Sequence, residues 1–249
     1  MEKATQSQAQ DAPTPWISLL DRLDRLRRGI LWAVIATMAG TMASWAFSDR
    51  IFGLLAAPLT AALASQGKDP RLAFTRLTDP FIVYLSVALG AGIIIAMPVI
   101  TAQLWRLIAT RSGGRRLGGA VFFVVAASLL FLAGVVFGHL VLLPIVVGYL
   151  LGIAAHLNQV ITAREYLRFA LRLLLAMGVA AQLPLLCYTL ARFGLVTARK
   201  LWRWFPYATL VIFLLAALIT PPDGVSQVMV AVPMLILYAL SIAIAALVG

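Results

Sequence analysis

LGGAVFFVVAASLLFLAGVVFGHLVLLPIVVGYLLGIAAHLNQVITA, residues 117–163, contains no Asp, Glu, Lys or Arg. A helix crossing a bilayer needs roughly 20 largely apolar residues, and this run exceeds that. Five shorter uncharged runs flank it: Gly29–Ser48, Pro80–Trp105, Leu173–Ala191, Trp204–Pro222 and Gly224–Gly249. In hydrocarbon each backbone N–H and C=O must be satisfied within the protein, which leaves helices as the simplest spanning solution. The composition agrees. Hydrophobic residues make up 62% of the 249 and charged residues 12%, against about 45–50% and 25% in water-soluble domains. Mean hydropathy is +0.98. The expected fold class is therefore all-α, a polytopic membrane protein.

The long run could hold one span or two, and charge decides between them. Basic residues cluster at Arg22, Arg25, Arg27 and Arg28, at Arg106, Arg111, Arg115 and Arg116, and at Arg192, Arg199, Lys200 and Arg203. Short basic loops stay cytoplasmic. One span in the long run puts all three clusters on one side; two spans would push the third cluster outside. The expectation is six transmembrane helices with both termini cytoplasmic, at approximately 29–48, 80–105, 117–146, 170–191, 204–220 and 225–247. Residues 1–16 read as a disordered polar tail and 17–249 as a single domain. The first apolar run is too long for a signal-peptide core of about 7–15 residues, so it reads as a retained span. Residues 51–67, interrupted by Pro58, read as short helices lying on the outer membrane surface, because proline breaks a helix.

The net charge of +11 would suggest nucleic acid in a soluble protein. Here the basic residues end apolar runs, so no nucleic-acid partner is expected and lipid is the surrounding medium. The single Cys187 can form no internal disulfide and reads as a small buried hydrophobe. No His/Cys cluster has metal-ligand spacing, and no Gly-rich loop precedes a Lys. No metal, cofactor or catalytic residue is expected, and no enzyme. His139 reads as a hydrogen-bonded structural residue. None of the nine acids lies in the middle of a span, which weighs against a proton-coupled solute transporter. The intramembrane polar groups are amides. Gln182 stands before Pro184 and either re-satisfies the carbonyl that the proline frees or faces a partner helix. Gln227 carries the same two readings. Asp79 reads as the N-terminal cap of the second span. Trp105 and Trp202 suit the aromatic belt at the membrane interface.

Four segments, in order along the chain, resemble the TatC family, the multispanning receptors of the twin-arginine translocase. They are Ile51-Phe-Gly-Leu-Leu-Ala-Ala-Pro58-Leu59, Thr78-Asp79-Pro80-Phe81-Ile-Val-Tyr84, Pro98-Val-Ile-Thr-Ala-Gln103-Leu-Trp105 and Thr220-Pro221-Pro222-Asp223-Gly-Val-Ser226-Gln227, with Pro233-Met234 following. Pro58, Asp79, Phe81, Pro98, Pro221, Pro222 and Asp223 are thus signature positions. The resemblance implies a receptor rather than an enzyme, in a bacterial plasma membrane. It implies binding of the twin-arginine signal peptides of folded cargo, use of the proton-motive force, and assembly with TatA/TatB-type single-span helical subunits in a homo- or hetero-oligomer.

The departures from the pattern bear on the site. The family's His-Leu-x-Glu-Leu-Arg appears as Arg22-Leu23-Asp24-Arg25-Leu26-Arg27, and the acid before the second Arg-Arg pair is replaced by Gly113-Gly114. The fourth-span Glu is Gln182, and Ser86 stands where a Lys follows the second-span signature. A guanidinium pair seeks bidentate carboxylates, and Asp21 and Asp24 share one helical face. The signal-binding set is accordingly Asp21, Asp24, Arg27, Gln103 and Trp105. The alternative is that both acids only pair with Arg25 and Arg28 on their own helix. The partner-helix set is Thr220, Gln227 and Gln182. Two other functions compete: a TatC-like paralogue without receptor activity, favoured by basic loops that repel a basic signal, and a small-solute transporter, for which an inverted repeat is lacking.

Overall fold

The computed structural model describes residues 15–69, 72–109, 117–153 and 161–248. Ten α-helices account for nearly all of them: α1 (Pro15–Trp45), α2 (Ser48–Ser65), α3 (Asp79–Ala109), α4 (Leu117–Phe137), α5 (Leu143–Ile153), α6 (Ala163–Ala180), α7 (Leu183–Arg192), α8 (Ala198–Arg203), α9 (Phe205–Ile219) and α10 (Gly224–Val248). One isolated parallel bridge, Ala73 with Thr162, ties the segment before α3 to the start of α6. The expected polar tail falls outside the described residues, except for Pro15 and Trp16, which already belong to α1.

Four helical segments are long and apolar enough to cross a membrane: Asp79–Arg106, Gly119–Ile153, Ala163–Arg192 and Gly224–Val248. A further candidate joins Leu26–Trp45 to Ser48–Ser65 through an 86° bend, and Phe205–Ile219 is a shorter apolar helix. Large apolar side chains line the outside of these helices. Leu210, Leu214 and Leu218 of α9 are 69%, 69% and 73% exposed, a stripe one turn apart that only lipid can solvate.

The long uncharged run forms one helical path of 35 residues, about 52 Å at 1.5 Å per residue, well beyond a hydrocarbon core of roughly 30 Å. Its helix continues past the expected end at residue 146 to Ile153. Pro144 should interrupt it, having no N–H to give to the preceding turn. Gly138–Leu142 instead winds as a π turn, with the Leu143 N–H donating to the Gly138 carbonyl. The wider register absorbs the proline without ending the helix.

One expectation needs correcting. Ser48–Ser65 is a single helix that passes through Pro58, not a set of short helices broken there. Proline removes one helical hydrogen bond. Against that loss, Leu55, Leu59 and Leu63 are all buried on one face, spaced i, i+4, i+8. The Tyr166 hydroxyl also donates to the Leu55 carbonyl at 2.7 Å. The packing of three leucines and the tyrosine bond hold the helix together across one missing bond.

The most enclosed helix is α6. Tyr166, Leu167, Ala170, Leu173, Leu174 and Met177 are buried, at helical spacing, between α3, α4 and the α2–α5 layer. Elsewhere glycines set the approach. A Cβ on Gly92 of α3 would lie 2.6 Å from the Thr41 backbone nitrogen of α1, and one on Gly178 of α6 would lie 2.7 Å from the Phe131 ring of α4. By contrast, a Cβ on Gly53 of α2 would meet nothing within 4 Å. Gly92→Val should therefore overpack the α1–α3 crossing and cost about 1–3 kcal/mol, lowering the thermal midpoint in detergent. Gly53→Ala should raise the midpoint slightly, by about 0.5–1 kcal/mol of helix propensity.

Candidate functional site

Helices α1 and α3 pack together along their lengths. A Cβ on Gly29 would touch Gln103 at 3.7 Å, and one on Gly40 would meet the Gly92 carbonyl at 2.7 Å. Numbers rising on α1 while falling on α3 make the pair antiparallel. The start of α1 and the end of α3 therefore share one end of the bundle. Asp24 lies five residues, about 7.5 Å of helix rise, from the Gly29–Gln103 contact. Its carboxylate is exposed and ion-paired with Arg28 of the same helix, Oδ2 to Nη2 at 2.8 Å. Arg27 is exposed at the same end. The Asp21 side chain lies outside those described.

Gln103 is half-buried, and its Oε1 accepts a long bond from Arg106 at 3.4 Å. Trp105 turns to a different face. Its ring sits 4.9 Å from Phe123 of α4 and 6.2 Å from Phe193 after α7. The structure thus brings Gln103 beside α1 and sets Trp105 in an aromatic trio that joins α3, α4 and α7. The surrounding charge is basic, with Arg27, Arg28, Arg106 and Arg192 at these helix ends.

The opposite face is built on Asp79. This carboxylate opens α3 and is 1% exposed. It accepts from the Thr75 N–H at 3.2 Å, the Thr75 hydroxyl at 2.9 Å, the Arg76 N–H at 2.9 Å and Arg164 Nη1 at 3.1 Å. Its bonds reach back to the turn before α3 and not to the first N–H groups of the helix, so it is not the expected cap; it pins that turn and ties α3 to α6 across 85 residues of chain. Beside it, Phe81 is 61% exposed, edge-on to Trp45 of α1 at 5.9 Å. Pro98, inside α3, is followed by Thr101, whose hydroxyl donates to the Met97 carbonyl at 2.9 Å.

The turn between α9 and α10 is equally well tied. Thr220 is buried and donates through Oγ1 to the Ala216 carbonyl at 2.9 Å. Pro221 and Pro222 are exposed. Asp223 accepts from the Ser226 N–H at 2.8 Å and from the Ser226 hydroxyl, which makes it the N-cap of α10. Gln227 is half-buried, and its Nε2 donates to the Phe213 carbonyl of α9 at 2.9 Å. Gln182 differs from both. It sits at the α6–α7 break, 5% exposed, and its Nε2 has no hydrogen-bond partner among the described residues. Its side chain does not mend the break ahead of Pro184.

Three positioning residues escaped the sequence reading. The hydroxyls of Tyr166 and Tyr238 donate to the Leu55 and Leu201 carbonyls, at 2.7 and 2.9 Å, and Arg164 holds Asp79. None leaves a local signal, since the partners lie 111, 37 and 85 residues away. The Asp223 cap did have one: Asp followed three residues later by Ser at the head of an apolar run. No group of three or more metal-ligating side chains occurs among the described residues.

An all-helical bundle with long apolar helices and an apolar exterior defines an integral membrane protein. The family model described as Sec-independent protein translocase protein (TatC) matches residues 21–233. The TatC protein of Koribacter versatilis (strain Ellin345) is 36% identical over 233 residues, covering 93% of this chain and 86% of its own. The TatCy protein of Bacillus subtilis (strain 168) is 34% identical over 232 residues, covering 92% and 88%. A crystal structure of the twin arginine translocase receptor TatC superposes with a TM-score of 0.84 at 29% identity, covering 91% of this chain and 99% of that one. The chain belongs to the TatC family and is a subunit of the twin-arginine translocation system, working with other Tat subunits.

Asp223→Ala should remove the α10 cap at a cost of about 0.5–2 kcal/mol, whereas Asn at the same position caps comparably. Thermal midpoints should fall for Asp223→Ala and stay near wild type for Asp223→Asn.

Proposed function

We propose that this chain is the receptor subunit of its translocase. In this reading α1, α3, α4, α6–α7, α9 and α10 are six spans with both termini cytoplasmic. The cytoplasmic end where α1 starts and α3 finishes binds the twin-arginine signal peptide of folded cargo, through Asp24 and Asp21 with Arg27, Gln103 and Trp105 around them. TatA/TatB-type single-span helices dock against Gln182 and the Thr220–Gln227 turn, and the proton-motive force drives transport. The observation that carries the reading is the likeness to a solved twin-arginine receptor over 91% of the chain.

The Asp24–Arg28 pair supports a competing reading, a paralogue whose one described acid at this end is already occupied. Magnitudes favour the receptor. Both side chains are largely exposed, 51% and 75%, and an exposed i, i+4 pair contributes about 0.3–0.5 kcal/mol. So weak a pair leaves the carboxylate available, and an incoming guanidinium that engages it bidentately displaces Arg28 at little cost.

Partner docking has its own support. An apolar groove of about 630 Å³ opens between α6–α7 and α9–α10, lined by Val179, Leu183, Tyr207, Val211 and Met234. Gln182 lies next to it in sequence. An unpaired amide in hydrocarbon is costly, and a partner helix carrying a hydroxyl or free carbonyl would relieve it.

Two measurements test these assignments. A labelled twin-arginine signal peptide should bind the purified chain in detergent, and Asp24→Asn should weaken it about tenfold, as expected for one charged hydrogen bond, with an unchanged thermal midpoint. Equal binding of a Lys-Lys peptide would refute the signal site. Gln182→Met should leave the isolated chain as stable or more so, because an unpaired polar group is lost, yet recover less partner subunit on co-purification. Undiminished partner recovery would exclude Gln182 from the docking surface.

A further inference from the structure

Along the seam of α3 and α6 runs a groove of about 200 Å³, lined by Arg164, Arg168 and Arg172. The three arginines are spaced i, i+4, i+8 and so form one stripe on α6. The floor beneath them is apolar, with Val83, Leu89, Ile93, Leu171 and Leu175. Ser86 also lines it, and its hydroxyl already donates to the Ile82 carbonyl at 2.7 Å.

The charges in this groove are unbalanced. Arg164 is committed to Asp79 at 3.1 Å. Arg168 and Arg172 are exposed, and neither has an ion-pair partner among the described residues. Glu165 lies on the same helix but pairs with neither of them. Arg168 and Arg172 lie about 6 and 12 Å along the axis from Arg164, inside the candidate span Ala163–Arg192. An arginine at that depth is costly unless it finds an anion or reaches the interface. Helical Cβ atoms tilt toward the helix N-terminus. These side chains therefore lean back toward the membrane face that holds Asp79, the level of lipid headgroups.

We propose that this seam binds one anionic phospholipid, with its phosphate held by Arg168 and Arg172 and an acyl chain lying on the Leu89–Ile93–Leu175 floor. Guanidinium and phosphate form paired charge-assisted hydrogen bonds. A lipid supplies that phosphate at the depth where the arginines end, together with a chain of the chemistry the floor requires. The site stands apart from the signal-binding end and does not depend on the receptor reading.

The test is native mass spectrometry of the full chain in detergent, titrated with phosphatidylglycerol or with phosphatidylcholine of the same acyl chains. The wild type should retain phosphatidylglycerol preferentially. Arg168→Gln with Arg172→Gln should weaken that retention about tenfold or more. Arg168→Lys with Arg172→Lys keeps both charges and should preserve the headgroup preference, separating charge from folding. Arg199→Gln with Arg203→Gln, on α8, should change nothing. Equal retention of the two lipids by the wild type, or full retention of phosphatidylglycerol by the double Gln variant, would overturn the site. So would displacement of the lipid by soluble glycerol phosphate at matching affinity, because the acyl floor would then contribute nothing.

Discussion

Helices that cross in hydrocarbon gain nothing from the hydrophobic effect, because lipid tails are as apolar as leucine. The bundle therefore depends on how closely its backbones approach. The glycine crossings set that distance: Gly40 against Gly92 between α1 and α3, and Gly134 and Gly178 between α4 and α6. At each of them a side-chain carbon would collide with backbone or ring. Close approach multiplies weak dispersion contacts, each worth only about 0.1–0.2 kcal/mol, along the whole length of a crossing. Once these pairs are fixed, α6 is enclosed, and the ends of α1 and α3 are brought together.

Polar groups then fix the ends. Asp79 ties α3 to α6 through Arg164, Asp223 starts α10, and Tyr238 holds the short α8 against α10 through the Leu201 carbonyl. Each bond uses a backbone or charged group that lipid could not satisfy. Not every buried polar atom is satisfied: Gln182 Nε2 and His139 Nδ1, the latter expected to be hydrogen-bonded, are among those without a partner among the described residues.

The class of the fold was legible because it rests on composition and on runs such as residues 117–163, which no water-soluble surface could accommodate. The family was legible because the Pro98–Trp105 and Thr220–Gln227 segments keep their spacing. The continuity of α2 through Pro58 was not. A local rule about proline was overruled by three leucines buried against α5 and α3, whose burial depends on parts of the chain far away in sequence. Asp79 read as a cap, but its carboxylate turns back to Thr75 and Arg76 and across to Arg164, 85 residues on. At the end where α1 starts and α3 finishes the sequence exposed the scarcity of acids. It could not say whether Asp24 faces Arg28, since either rotamer satisfies the helix.

The central claim is that a TatC-family chain with few acids at its signal-binding end still works as a receptor. The most direct measurement places it, with its partner subunits, in cells lacking their own TatC and follows export of a folded reporter carrying a twin-arginine signal. The account predicts export that disappears when the signal's Arg-Arg becomes Lys-Lys. Stable insertion and partner association without export, or export indifferent to that change, would contradict it.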